Sequence, residues 1–194
     1  MKIRHHPTSL VRTVVLALVL GGAPLVAATT SAEAAAPSCG ITWGSLAKTP
    51  APLAGATAGA ITNVRSGGHA CFDRLVIDLS GRGGASSSVR YVNAVLSQGQ
   101  GAPVPLRGGA KLEIVVRAPD YDVLTGLPIY RPASPRELTR TSGLQTFRQV
   151  ASGGSFEAVT TIGVGVRARL PMRAFVLAGP GGGSRLVVDV AHHW

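Results

Sequence analysis

Arg74-Leu75-Val76-Ile77-Asp78-Leu79 and Arg185-Leu186-Val187-Val188-Asp189-Val190 are the same pattern written twice, matched in residue type at every position. In each copy the apolar residues recur with period two, so one face of an extended strand carries Leu75, Ile77 and Leu79, or Leu186, Val188 and Val190. Those faces are the expected core. The opposite face of the first copy carries Arg74, Val76 and Asp78. If the two segments are antiparallel neighbours with Val76 opposite Val187, Arg74 faces Asp189 and Asp78 faces Arg185, whereas parallel pairing in that register sets like charges together. Placement of the two strands in different sheets of a sandwich is the other arrangement left open.

Outward from these segments, short runs rich in Val, Ile, Leu and Phe alternate with Gly and Pro clusters, and helical periodicity is nearly absent. The alternation predicts strands near 61–65, 72–80, 88–95, 110–118, 144–151, 155–167, 172–178 and 184–192. The expected fold is therefore all-β, a β-sandwich of short, mainly antiparallel strands. Residues 119–143 interrupt the pattern with Pro128, Pro132 and Pro135, too many for a central strand. Within this long Pro-rich loop, Ser134-Pro135-Arg136-Glu137 is a capping-box sequence and predicts one short helical turn through Thr139.

Residues 35–59 are rich in Ala, Pro, Gly and Thr, with Trp43 as the one large group, and read as an extended N-terminal arm. Ahead of it, Lys2, Arg4 and Arg12 precede an apolar run from Val14 to Val26 and an A-x-A site at Ala32-Glu33-Ala34, the layout of a secretory signal peptide spanning 1–34. Gly21, Gly22 and Pro24 break the run short of the roughly 20 residues a membrane span needs, and no span is expected after cleavage. The product is expected to be secreted, extracellular or wall-associated. In that oxidising setting an even pair of cysteines, Cys39 and Cys71, predicts a disulfide tethering the arm to the first strands.

Removing the leader takes away Lys2, Arg4, Arg12 and Glu33 and leaves 16 basic against 8 acidic groups, a formal charge of +8 carried almost entirely by arginine. Arginine's planar fork of donors fits carboxylate and phosphate. The expected partner is thus peptidoglycan or another anionic wall polymer, with an envelope protein as the second possibility, met through the Pro-rich loop and Tyr121 or Tyr130. Nucleic acid is not expected, since neither an aromatic ladder nor a recognition helix is visible.

Catalytic chemistry finds little support. There is no G-x-S-x-G, and Gly154-Ser155 and Gly183-Ser184 each lead into a strand, which makes them turn residues. The histidines after the leader are His69, His192 and His193, the last two on opposite faces of one strand, so neither a metal nor any other cofactor is assigned. Asp73 and Asp78 point to opposite faces, Asp120 and Asp122 flank Tyr121, and Glu157 heads a strand alone, none of which makes a paired acid and base. The expectation is no enzyme.

One segment has a grain suited to binding. Along Thr161-Ile162-Gly163-Val164-Gly165-Val166-Arg167-Ala168-Arg169 the Ile and Val residues face one way, while Gly163 and Gly165 leave the other face bare up to Arg167 and Arg169. With Thr161 and nearby Glu157 it forms the candidate ligand strip, able to seat an extended carboxylate-bearing polymer. The Pro-rich loop lying close over the glycines, or a bulge, is the competing explanation of the same pattern.

From residue 60 to 194 the chain resembles the AMIN-like domain family of exported proteins from high-GC Gram-positive bacteria. The resemblance rests on Cys71-Phe72-Asp73-Arg74-Leu75-Val76-Ile77-Asp78, on Gly154-Ser155-Phe156-Glu157, on Thr160-Thr161-Ile162-Gly163-Val164-Gly165-Val166-Arg167 and on the ending from Gly179 to Val190. It implies kinship with the domain that accompanies N-acetylmuramoyl-L-alanine amidases, a β-sandwich understood to target its partner by binding peptidoglycan. No amidase sequence accompanies it here. The resemblance therefore implies a targeting or binding module working without its usual enzyme, and transfers no ligand residues.

Overall fold

The computed structural model describes residues 39–194. The signal peptide expected over 1–34 and the first residues of the arm lie outside the described residues.

Eight strands form: β1 (Ile61–Gly68), β2 (Phe72–Leu79), β3 (Ser87–Val92), β4 (Ala110–Val116), β5 (Phe147–Phe156), β6 (Val159–Val166), β7 (Met172–Ala178) and β8 (Ser184–Ala191). Every predicted strand is present. They pair antiparallel throughout, as one four-stranded sheet in the order β1-β2-β8-β7 and a second in the order β3-β4-β6-β5. The repeated hexapeptides are neighbours at the centre of the first sheet, with Val76 opposite Val187, Arg74 opposite Asp189 and Asp78 opposite Arg185.

Period-two alternation places the core between the sheets. Leu75, Ile77, Leu79, Leu186, Val188 and Val190 from the first sheet meet Leu112, Ile114, Val116, Ile162, Val164 and Val166 from the second, all essentially inaccessible to water. At roughly 1.5–3 kcal/mol for each large apolar side chain buried, this interior dominates the favourable side of folding.

The arm runs along the sandwich edge rather than in either sheet. Gly44 accepts from the backbone of Met172, Lys48 exchanges backbone bonds with Val89, and Leu53 and Thr57 donate to Gly83 and Arg82. The Cys39–Cys71 disulfide forms, with Cα atoms 6.0 Å apart, and ties the arm to the residue just before β2.

The Pro-rich loop follows the open edge of β5, where Leu138 donates to Val150 and Ser152 to Pro135. An otherwise unpaired edge is thereby covered. The helical turn expected through Thr139 stops after one hydrogen-bonded turn, Glu137 N to Ser134 O at 3.2 Å, because the next residue is already committed to the β5 edge. Glu137 does not reach back to complete the capping box but binds Arg107 at 2.6 Å. The helical residues are instead Pro180–Gly182, in the turn between β7 and β8. Among the described residues no helix is long and apolar enough to cross a membrane.

Candidate functional site

The two sheets differ in what lies on their outward faces. Segment 95–107 is strapped over the second sheet: Val95 is fully buried, Gln98 donates to Gly153 O and to Thr161 Oγ1, and Arg107 N donates to the Gln149 side chain. On the first sheet the outward residues of β2, β8 and β7 are Arg74, Val76 and Asp78, Arg185, Val187 and Asp189, and Arg173, Phe175 and Leu177. They make a basic face crossed by bound carboxylates.

Asp189 is its anchor. Both its oxygens are engaged by Arg74 from β2, Nε–Oδ1 2.7 Å and Nη2–Oδ2 2.9 Å, and Oδ2 also accepts from Nε of Arg173 on β7 at 2.8 Å. Half a repeat away, Arg65 of β1 holds Asp78 by two bonds of 2.9 and 3.0 Å, and Arg185 stands 3.6 Å off. Each carboxylate thus sits between two guanidinium groups, and each cluster carries one net positive charge. Hydrogen bonding to the carboxylates raises Arg74 and Arg65 above their ordinary pKa, so these cations are fixed at any physiological pH.

Aromatic rings crowd the Asp189 cluster. The Arg173 guanidinium lies 4.4 Å from the Trp43 ring centre, 5.1 Å from Phe175 and 5.5 Å from Phe72, and Arg74 is 5.2 Å from Phe72. Trp43 meets Phe72 edge-on at 5.5 Å, and His69 stacks on Phe72 at 4.6 Å. The disulfide has a clear role here, because Cys71 adjoins Phe72 and Cys39 brings in the arm that carries Trp43. Held flat by rings and by Asp189, the guanidiniums keep only part of their donor set occupied, and the remainder can take the planar oxygens of a carboxylate or phosphate. The Asp78 cluster borders an open depression of about 670 Å³ lined by Thr62, Asn63, Ser80 and Pro180.

The strip predicted on β6 is filled. A methyl group on Gly163 would come within 2.8 Å of Leu106 Cδ1, one on Gly165 would run into the Arg107 carbonyl, and Thr161 is buried beneath Gln98. The glycines exist so that 95–107 can lie directly on the strand, which is the close-approach alternative, supplied by a different loop from the Pro-rich one. Arg167 and Arg169 are exposed at the end of β6, where Arg167 donates to the His192 carbonyl and Arg169 to Ser45. Glu157 is distant in role: with Ala158 it makes the two-residue β5–β6 turn, both residues at positive φ of 47° and 58°. The six residues do not share one open surface. Arg169 reaches the arm at Ser45, two residues beyond Trp43, and its guanidinium lies 5.2 Å from the Tyr91 ring centre.

Asp73 and His192 form a second polar cluster, Nε2 to Oδ1 3.1 Å, inside the protein. The other Asp73 oxygen accepts the backbone N–H of Thr146 at 2.5 Å and of Phe147 at 2.9 Å. Thr146 Oγ1 is occupied by the Ala191 carbonyl and all three residues are buried, so the cluster fastens the sheets and presents no nucleophile to solvent. Among the described residues no three His, Cys, Asp or Glu side chains gather as a metal site would require.

Sequence reasoning placed Arg74, Asp78, Arg185 and Asp189 but missed Arg173, Phe175 and Phe72. Alternation along Met172-Arg173-Ala174-Phe175 could have found two of them, since Arg173 and Phe175 lie out of phase with the buried Met172 and Val176. Trp43 gave no periodic signal.

A family model described as the AMIN-like domain matches residues 59–192. No curated protein matches the chain.

Proposed function

Because the chain belongs to the AMIN-like domain family, we propose that it is a non-catalytic, exported binding module of the cell envelope whose ligand is peptidoglycan or another anionic wall polymer. The ligand lies on the outward face of the first sheet, across the Arg74–Asp189–Arg173 cluster and the rings of Trp43, Phe72 and Phe175. One observation carries this placement. A fully buried carboxylate holds two arginines, against aromatic rings, on a sheet face where the other sheet's equivalent is covered by its own chain. Orientation by Asp189 lowers the entropy lost when the forks engage an anion. The rings offer apolar faces for the sugar backbone between the charged groups.

An intrachain disulfide agrees with export into an oxidising compartment. Non-catalytic action is supported by the state of the acidic groups on the face, since Asp78 and Asp189 are each occupied by arginine and neither is free to act as a base.

Sedimentation with purified cell walls across a salt series tests the proposal. The protein is expected to pellet at low ionic strength and to release progressively toward about 0.5 M salt, where charge interactions between exposed groups are strongly screened. The double variant R173A/W43A is expected to lose at least tenfold in affinity. No retention at low salt, or equal retention of the variant, overturns it.

A further inference from the structure

The outward face of the first sheet is laid out in rows. Strand pairing sets Arg74, Asp189 and Arg173 abreast, then Val76, Val187 and Phe175, then Asp78, Arg185 and Leu177. The two charged rows are four residues apart along both β2 and β8, a distance of roughly 13 Å at the rise of an extended strand. An apolar row lies between them, with Val76 and Val187 almost wholly shielded from water.

In the second charged row Arg185 is positioned but unengaged. It stands 3.6 Å from Asp78 Oδ1, its Nε is buried, and among the described residues its guanidinium has no hydrogen-bond partner. Asp78 cannot serve it fully, because Arg65 already takes both carboxylate oxygens at 2.9 and 3.0 Å. The other three arginines of this face, Arg65, Arg74 and Arg173, each donate to a carboxylate. Elsewhere among the described residues, arginines whose guanidinium makes no hydrogen bond are Arg82, Arg117, Arg136 and Arg140, and all four are exposed, where water serves them. A shielded donor left without an acceptor calls for a reason, and a bound anion is one.

The space beside it suits an anion. Arg185 and Arg65 line the open depression of about 670 Å³, in which Asp78 is the one acidic residue, so the lining carries one net positive charge. Asn63, on the same rim, commits its Oδ1 to the Val64 N–H at 3.0 Å and turns its amide NH₂ group outward as a neutral donor. Fork donors with a neutral amide beside them match the oxygens of a carboxylate or phosphate.

Resting on the wall-polymer reading above, we infer that the face holds its ligand at two points: one anionic group at Arg173 and Arg74, and another at Arg185 and Arg65, roughly 13 Å further along the strands. The ligand is then a polymer whose carboxylate or phosphate groups recur along its length, crossing Val76, Val187 and Phe175 between the two points. A single terminal anion fills half of such a site. Two weak contacts joined in one chain bind far more tightly than either alone, because the second forms at high effective concentration.

Calorimetric titration of the mature protein at low salt with capped diglutamate and capped octaglutamate tests this. At no more than about 3.6 Å per residue the shorter peptide cannot bridge the rows, whereas the longer one can. Octaglutamate is expected to bind roughly tenfold tighter or more, and R185A and R185Q are expected to lose that advantage while keeping the melting temperature. Long-chain polyphosphate run alongside tells a phosphate-bearing polymer from a carboxylate-bearing one, and tighter binding of either supports the inference when it depends on Arg185. Octaglutamate binding no tighter than diglutamate, or an advantage undiminished in both variants, overturns two-point binding and leaves the Arg173 cluster as a single site. Failure of all three probes to bind overturns the inference together with the reading beneath it.

Discussion

Asp189 grips Arg74 across the β2–β8 pair through two parallel bonds of 2.7 and 2.9 Å, with its own carboxylate wholly shielded from water. Its counterpart Asp78 is 22 % exposed, and its cross-strand arginine stands 3.6 Å away with a buried Nε that makes no hydrogen bond. The repeat thus builds one tight cluster and one loose one. Asp189→Ala leaves Arg74 and Arg173 facing each other without a counter-charge, though both can still reach solvent. A loss of about 1–3 kcal/mol is expected, below the range for fully buried pairs. Asp78→Ala is expected to cost under about 1 kcal/mol, as exposed pairs do. Urea unfolding of the two variants compares them directly, and equal losses would refute the asymmetry.

Gly165→Ala and Gly163→Ala rank the closeness of the strap. At Gly165 the added methyl meets the Arg107 carbonyl and backbone, which cannot move without lifting the segment off β6, so a loss of about 2–3 kcal/mol is expected. At Gly163 it meets the far end of the Leu106 side chain at 2.8 Å, which can change rotamer, and the buried Val95 methyls at 3.3 and 3.4 Å, which need give only a few tenths of an ångström, so the cost should be the smaller of the two. Thermal unfolding measures both. A Gly165→Ala protein as stable as the wild type would show that the strap does not press on β6 at this position.

How far the sequence spoke for itself varies with the range of the interaction. Arg74 and Asp189 were readable because register follows from side-chain alternation and cross-strand charge, both encoded within two hexapeptides. Gly163 and Gly165 misled as a bare strip because glycine signals only that something can come close; that Val95, Leu106 and Arg107 do so depends on a loop without periodicity from elsewhere in the chain. The Ser134 turn failed as a helix because the β5 edge, invisible locally, claimed Leu138 first. Asp73 shares the phase of Leu75 and Ile77, and His192 that of Val188 and Val190, so their inward orientation was legible though their mutual pairing was not.

Alkaline pH offers a test of the packing at β3. Tyr91 Oη donates to Leu170 O at 2.9 Å and accepts from Leu170 N at 3.1 Å, and burial raises its phenol pKa, with the Leu170 bond and the Arg169 charge offsetting this only in part. The folded state therefore keeps the proton longer than the unfolded chain. Stability from this group is whole below the unfolded value near pH 10 and declines as pH rises through the folded one. Tyr91→Phe should flatten that decline without abolishing it, since burial also raises Tyr130. Denaturation midpoints between about pH 9 and pH 12 check this, and parallel curves for the two proteins would contradict it.

Asp73 is the place where one side chain fastens the two sheets. It begins in β2 of the first sheet, yet its oxygens accept from Gln145 at 3.4 Å and from Thr146 and Phe147 at 2.5 and 2.9 Å, at the entrance of β5 in the second. His192 Nε2, at 3.1 Å, closes the ring from the end of β8. Asp73→Ala removes the oxygen that both amides share and leaves the Thr146 and Phe147 N–H groups buried without an acceptor. A loss of about 2–4 kcal/mol is expected, the range for leaving buried polar groups unsatisfied beside a lost charge-assisted bond. Hydrogen exchange separates this from general weakening: the Thr146 and Phe147 amides should lose protection well before those of β4 and β6, which Asp73 does not touch. Uniform loss across both sheets would mean that Asp73 merely fills space. Loss confined to those two amides would establish that the sandwich is locked at its disulfide end by a carboxylate rather than by apolar packing alone.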